Sequence, residues 1–271
     1  MVTQSEKGAA FRALHARAEA FIIPNPWDAG TARLLAHLGF EALATTSAGY
    51  AFSAGQPDNT VDRQQMMVHV AAIVAATDLP VSGDLENGFG DAPEVVAETI
   101  RLAAAAGLAG GSIEDQSRED RSIYEHEHAV ERIRAAVEAA RALSFPFTLT
   151  ARCENYLAGR PDLDDTLRRL QAYQEAGADV LYAPGLTSLS DIREVVRSVD
   201  RPVNVLALGN GPSVAELAEA GVSRISVGGA FAYAALGALV EAATELRDQG
   251  TYGYLARTKV GRSAVQAAFA R

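Results

Sequence analysis

Cysteine is nearly absent from the 271 residues: Cys153 stands alone, so no internal disulfide can form, which fits a reducing cytoplasm. Basic residues are in deficit. Twenty-four Lys and Arg face 34 Asp and Glu, a formal net charge of -10. A surface of that sign lacks the basic footprint that nucleic acid or an anionic membrane requires. No apolar run of about 18 residues could span a bilayer, and residues 1–17 are polar and helical in pattern, without the apolar core of a secretion signal. No Gly-x-Gly-x-x-Gly follows the first strand, so a dinucleotide fold loses its main support. No linker or low-complexity segment divides the chain. These absences leave a soluble, cytoplasmic protein with a small-molecule partner, and an apolar fraction of 48% is ample for a full core.

What the chain does contain is alternation. Apolar strands are predicted at 21–25, 42–47, from 81, at 111–115, 147–153, 180–183, 203–207 and 225–227. Helices are predicted at 4–18, 28–38, 62–76, 93–106, 128–143, 163–176, 189–196 and 214–220, with two more at 230–246 and 255–269. Residues 48–58 read as a long, decorated loop of the kind that carries function. Gly39, Gly107, Gly177 and Gly221 each end a helix just before a strand, where a left-handed cap turns the chain back into the sheet. Eight strands alternating with helices in a chain near barrel length predict an α/β fold, a single (β/α)8 barrel domain over residues 1–271. The Gly-rich stretch 248–253 reads as a hinge that would let the last helix leave its own barrel.

In such a barrel the C-terminal strand ends converge on one face. The polar residues there are Ser47 and Asp58 (strand two), Asp84 and Glu86 (three), Glu114 and Asp115 (four), Arg152 and Glu154 (five), and Asn204, Asn210 and Ser213 (seven). Strand alternation would place Asp84 and Glu86 on one face, where two carboxylates repel unless a hard cation, magnesium or manganese, neutralises them. The plain alternative is a pair of acids at a solvated strand end. With more acids and one arginine gathered there, the acids can hold a divalent cation while Arg152 clamps a carboxylate bidentately. Such a cation would polarise a carbonyl oxygen and stabilise an enolate.

Other residues read as structural. Cys153 alternates with Arg152 and is expected to be a packed thiol. His126 and His128 lie in a charged run at a helix start and read as a solvated face. Trp27 could line the mouth or pack. The turn from Gly209 to Ser213 resembles an anion cradle but is read as helix-start chemistry.

The runs Pro24-Asn25-Pro26-Trp27-Asp28, Thr45-Thr46-Ser47-Ala48-Gly49, Asp84-Leu85-Glu86-Asn87-Gly88-Phe89-Gly90, Ile113-Glu114-Asp115 and Ala151-Arg152-Cys153-Glu154, taken in order, resemble the isocitrate lyase and phosphoenolpyruvate mutase superfamily over nearly the whole chain. That resemblance implies a magnesium-dependent barrel acting on a 2-oxo or 2-hydroxy acid. It also implies a homo-oligomer, a dimer or tetramer, in which paired subunits swap a C-terminal helix. It implies that Asp84 touches the metal directly and that Glu86 and Glu114 hold its waters. Asp58 would lie beside substrate and metal waters, Ser47, Ala48 and Gly49 would offer donors to the substrate, and Arg152 would grip its carboxylate; Asn204, from its place at the end of strand seven, is read as a further substrate-binding residue. The lid departs from the family pattern. Lyases of the family carry Lys-Lys-Cys-Gly-His there, whereas residues 116–125 hold no Cys or His and offer Arg118, Arg121, Ser122 and Tyr124. A standard isocitrate or methylisocitrate lyase is therefore disfavoured. The expectation is lyase-like C–C chemistry through an enolate, with phosphonopyruvate-type C–P chemistry or a non-catalytic keto-acid binder as alternatives.

Overall fold

The protein is described by a computed structural model covering residues 2–270. Its short strands are β1 (Phe21–Ile23), β2 (Leu43–Ala44), β3 (Val81–Asp84), β4 (Gly110–Glu114), β5 (Thr148–Arg152), β6 (Val180–Tyr182), β7 (Val203–Leu206) and β8 (Arg224–Ser226). They form one parallel sheet in the order β1-β8-β7-β6-β5-β4-β3-β2. Helices α2 (Ala29–His37), α4 (Arg63–Ala75), α5 (Pro93–Ala105), α6 (His126–Arg141), α7 (Leu163–Glu175), α8 (Leu189–Arg197) and α9 (Val214–Glu219) connect consecutive strands. The alternation read from the sequence is therefore a (β/α)8 barrel. The four glycines that end helices all have positive φ, from +87° at Gly221 to +102° at Gly177.

The main core lies between strands and helices, with Leu43, Ile73, Ile100, Ile113, Ile133, Leu149, Tyr173 and Leu181 among its buried members. A second cluster closes the barrel's N-terminal end. There α1 (Gln4–His15) seats Phe11 and Leu14 against Phe21, Ile23, Ala42 and Ala109.

No strand ladder joins β1 to β2, because Pro24 and Pro26 flank the end of β1 and have no N–H to offer. A lone backbone bond, Ala44 N–H to Pro24 O at 3.1 Å, spans the gap. The side chain of Asn25 supplies the rest. Its Nδ2 donates to Thr45 O at 2.9 Å, and its Oδ1 accepts from Val227 N–H at 3.0 Å and Gly228 N–H at 2.9 Å. One buried amide thus ties β2 to the end of β8 where the backbone cannot.

Several boundaries differ from the expectations. Residues 48–58 are not simply a loop: α3 (Ser47–Ser53) forms because Thr46 caps it, its Oγ1 accepting from Gly49 N–H at 3.2 Å. Helix α6 begins at His126, two residues early, and β8 begins at Arg224, one residue early. The stretch 248–253 is an ordered turn rather than a bare hinge. Gly250 caps α10 (Ala230–Gln249) at φ +63°, and the Glu245 carboxylate accepts from Thr251 Oγ1, Gly253 N–H and Tyr254 N–H before α11 (Leu255–Phe269) begins. Helix α11 reaches α2 of its own chain, with the Arg33 guanidinium over the Phe269 ring at 5.3 Å. Among the described residues, no helix is long and apolar enough to cross a membrane.

Replacing Asn25 by Ala strands one buried and two part-buried backbone groups at the seam, and we expect a loss of about 2 kcal/mol in urea-unfolding stability. A loss below about 0.5 kcal/mol, the range of an indifferent surface change, would show that the seam is held otherwise.

Candidate active site

Residues of one parity on each strand point into the barrel. Here several are small or polar: Ala44, Ser82, Ser112, Asn204 and Ser226 line the cavity beside Ile23 and Leu206. Barrel interiors are ordinarily filled by bulky branched side chains. Small ones leave a cavity of about 210 Å³, walled at the strand ends by Ser47, Asp58, Asp84, Arg152 and Tyr182 and nearer the floor by Arg224.

Arg152, at the end of β5, organises the strand-end acids. Its Nη1 donates to Asp84 Oδ1 at 2.8 Å, its Nε to Glu154 Oε1 at 2.8 Å, and its Nη2 lies 3.0 Å from Glu114 Oε2. The guanidinium also sits 5.4 Å from the Tyr182 ring centre. On its other side Asp84 accepts through Oδ2 from Ser47 N–H at 3.0 Å and Ser47 Oγ–H at 2.8 Å. Burial pushes the carboxyls of Glu114 and Glu154 above the usual range, against the pull of Arg152. Asp58, at the rim, is also raised, by burial and by the charge of Asp84. Burial lifts the Tyr182 phenol to about 12, so it remains neutral and can donate.

Glu86 arrives by a different route from the one expected. Strand β3 stops at Asp84, and Glu86 takes φ +49°, so a left-handed turn and not strand alternation brings it to the acids. Its backbone carbonyl accepts from Glu114 N–H at 2.9 Å. Arg118, from the segment after β4, places Nε 2.7 Å from Glu86 Oε2. The alignment is too poor for a hydrogen bond, so both Glu86 oxygens and that Nε are buried without a hydrogen-bond partner. Burial raises the Glu86 carboxyl to about 7, with Arg118 opposing the shift. Arg118 Nη2 also donates to Asn59 O at 2.8 Å and Val61 O at 2.6 Å, and its guanidinium lies 4.8 Å from the Phe89 ring centre. The lid is thereby fastened over Glu86.

Two buried arginines hold the loops behind these acids. Arg132 of α6 donates to the carbonyls of Asn87, Gly90 and Asp91 and lies over Tyr124 at 4.2 Å, while the Tyr124 hydroxyl donates to Asp91. Asp115 faces away from the cavity. It accepts from Glu154 N–H at 2.8 Å, Tyr173 Oη at 2.6 Å and Arg169 Nη1 at 3.2 Å, and Arg169 Nη1 also donates to Tyr124 O at 3.0 Å.

The residues suit a hard cation that keeps most of its water. Among the described residues no three His, Cys, Asp or Glu converge tightly enough to ligate a metal together. Magnesium commonly takes one or two carboxylates and retains several waters. Asp84 would be the direct ligand, and the unpartnered oxygens of Glu86, with Glu114, would hold the water shell.

Of the sequence-predicted set, Ser47, Ala48, Asp58, Asp84, Arg152 and Asn204 line one cavity. Gly49 does not. Its N–H is taken by Thr46 Oγ1, and a Cβ there would stand 2.7 Å from Thr46 Cγ2, so Gly49 serves close packing. Asn204 bonds Ser226 Oγ at 3.0 Å and accepts from Arg224 Nε at 2.9 Å. Cys153 is buried, and desolvation raises its thiol far from reactivity. Ser213 caps α9 with Glu216, as helix-start chemistry requires. His126 and His128 stay outside the cavity, and His128 packs on the edge of Tyr124. Sequence reading missed Tyr182, Ser226 and Arg224. The available signal was a charged residue alternating inward with Ser226, hidden when strand eight is started at Ile225.

Residues 11–247 match the family described as phosphoenolpyruvate phosphomutase. A crystal structure from Burkholderia cenocepacia J2315, assigned provisionally as a lyase/mutase, superposes with a TM-score of 0.93 at 64% identity, covering 96% of this chain and 95% of that one. The 2-methylisocitrate lyase of Escherichia coli K12 is 32% identical over 76% of this chain and 72% of its own. The 2,3-dimethylmalate lyase of Eubacterium barkeri is 30% identical over 85% of this chain and 82% of its own. With the barrel and the gathered carboxylates already in view, these matches show that the chain belongs to the phosphoenolpyruvate phosphomutase family, within the PEP mutase/isocitrate lyase superfamily.

Proposed function

We propose that the protein is a magnesium-dependent, lyase-like enzyme that makes or breaks a C–C bond in a small 2-oxo or 2-hydroxy acid through an enolate. The observation that carries this reading is the charge imbalance at the strand ends. Asp58, Asp84, Glu86, Glu114 and Glu154 crowd around two guanidinium groups, Arg118 and Arg152. A bound divalent cation would supply the missing positive charge and polarise the substrate's oxygen at C2. The chain's own part is orientation. Ser47 and Arg152 fix both oxygens of Asp84, and the charge of Arg152, whose three nitrogens already face Asp84, Glu114 and Glu154, lies beside the cavity where a substrate carboxylate would sit. Fastened to Asn59 and Val61, Arg118 keeps bulk water off Glu86. The related lyases act on branched hydroxy acids, as 2-methylisocitrate and 2,3-dimethylmalate are, and supply the reaction type proposed here.

A second reading has an observation in its favour. The lid residue that reaches the acids is Arg118, a guanidinium that stays protonated at neutral pH and so is a poor general acid or base. A keto-acid binder without turnover would need nothing more. Turnover of a panel of 2-oxo and 2-hydroxy acids with and without magnesium separates the two: magnesium-dependent cleavage supports the enzyme, and saturable binding with no product supports the binder.

Magnesium affinity should rise with pH through about 7. Raised carboxyls, Glu86 at about 7 foremost, hold protons in the folded chain that the cation must displace. The same shift makes the metal-free fold lose stability as pH rises from the ordinary carboxylate range toward 7, since the folded state binds more protons than the unfolded one in that window. Calorimetric titration at pH 5.5 and 8 is the check, with Asp84→Ala expected to abolish binding at both while the protein remains folded. Equal affinity at both pH values, or in the variant, would remove these acids as the cation site.

Arg152→Lys should retain magnesium binding yet weaken pyruvate or oxalate binding by about tenfold, because a single ammonium cannot face Asp84, Glu114 and Glu154 and the substrate together as the planar guanidinium does. Unchanged acid affinity in that variant would place the carboxylate clamp elsewhere.

Assembly is part of the proposal. Leu236, Leu239, Val240 and Leu246 of α10 and Leu255, Val260 and Val265 of α11 are exposed, and only Ala232 is buried across both helices. Helices with that much bare apolar surface need a cover. Exchange of the C-terminal helix with a second copy would bury it through a two-fold interface. Sedimentation should therefore find a dimer or tetramer, and truncation after Gly250 should yield aggregated or dissociated protein. A micromolar monomer, or a truncated chain with the same oligomeric state as the full one, would rule the exchange out.

A further inference from the structure

Arg224 differs from the arginines that face acids in this barrel. Arg152 meets Asp84, Glu114 and Glu154, Arg169 meets Asp115 and Asp165, and Arg118 meets Glu86. Arg224 is 5% exposed and meets no carboxylate among the described residues. Its Nε donates to Asn204 Oδ1 at 2.9 Å and its Nη2 to Thr150 Oγ1 at 3.0 Å, while its Nη1 lies 3.3 Å from His15 Nε2. His15 has Nδ1 2.8 Å from Phe11 O, so Nδ1 carries the hydrogen and Nε2 presents a lone pair to Arg224. Burial and the neighbouring Arg224 charge push the His15 imidazole down to about 3, which keeps it neutral. Three of the five guanidinium hydrogens thus have protein acceptors, and one hydrogen on each Nη has none. Burial lowers the Arg224 pKa to about 10, and the side chain still carries its charge at neutral pH.

A buried charge with neutral partners alone is costly, and burial of this kind is most often balanced by an anion. The cavity supplies the place for one. Arg224, Asn204 and Ser226 line the same space as Asp84 and Arg152. Arg224 stands two residues below Ser226 on β8, and its partner Thr150 stands two residues below Arg152 on β5. Two strand residues span roughly 7 Å, so the two guanidinium groups mark two levels of one shaft. The volume of about 210 Å³ is below the roughly 300–1,000 Å³ of ordinary ligand pockets and limits the occupant to a short molecule.

We propose that Arg224 is a second anion subsite: the acid held at Asp84 and Arg152 carries a distal carboxylate, which this guanidinium receives at the cavity floor. The substrate class is then a short dicarboxylic 2-oxo or 2-hydroxy acid. This rests on the reading that the rim binds the 2-oxo or 2-hydroxy acid end. The cost of leaving Arg224 unpaired also gives specificity, because a monocarboxylate fills the rim and leaves the floor charge without a partner.

L-Lactate and L-malate share the 2-hydroxy acid end and differ in the distal carboxylate, so calorimetric titration with both, in the presence of magnesium, isolates the floor. The wild-type protein should bind malate about tenfold or more tighter than lactate. Arg224→Met should bring that ratio near one and leave lactate affinity within about twofold, since exchanging a buried charge for an apolar chain of similar length is compatible with folding. Arg224→Lys should keep a reduced preference, and it carries the comparison if thermal unfolding shows that the Met variant is not folded. A wild-type protein that binds lactate and malate equally overturns the subsite and leaves the rim reading standing. A preference for malate that survives Arg224→Met, or one that Arg224→Lys leaves at full size, also overturns it. Failure of both acids to bind the wild-type protein overturns the rim reading and the subsite with it.

Discussion

One guanidinium holds the strand-end acids together. Asp84, Glu114 and Glu154 stand on or just beyond β3, β4 and β5, and Arg152 touches all three. Glu114 lies directly across from Arg152 in the β4–β5 ladder, and Asp84 lies across from Ser112 in the β3–β4 ladder. A one-residue slip of any of these strands would turn its carboxylate out of the barrel and leave the guanidinium short of a partner. The cluster therefore fixes register as well as charge. Glu86 and Asp58 add negative charge, which Arg118 offsets at Glu86 and Arg121 at Asp58.

The acids are costly to bury, and the structure surrounds them with rigid supports that do not line the cavity. Arg132 grips three carbonyls of the loop after Glu86, and Arg169 with Asp115 ties the turn after Arg152 to the end of the lid at Tyr124. Both arginines reach in from helices on the outside of the barrel, so helix packing and site geometry are the same set of contacts. With Ser82, Ser112, Asn204 and Ser226 inside, the barrel's centre is left partly open. The apolar burial that stabilises the fold is displaced outward to the strand–helix layer and downward to the plug formed by Phe11 and Leu14. An open shaft in the centre is compatible with a stable chain for that reason.

What the sequence by itself determined was periodic or local. Alternation of apolar runs with helical stripes, punctuated by Gly39, Gly107, Gly177 and Gly221, is enough to count eight β/α units, since each signal spans only a few residues. That Asp84, Glu114 and Arg152 would gather was legible because a barrel sends every strand's C-terminal end to the same face, whatever the loops do. The core thiol of Cys153 followed from its alternation with Arg152. Tertiary structure decided the rest, because it depends on where distant backbone segments meet. Glu86 reaches the acids through a left-handed turn that no period announces, and Ser47 turns its donors onto Asp84. Thr46 makes a helix of what read as a loop. Arg224 escaped notice because its meaning lies in what it lacks: a strand boundary misplaced by one residue concealed it, and only three-dimensional packing shows that, among the described residues, no carboxylate pairs with a charge buried that deeply.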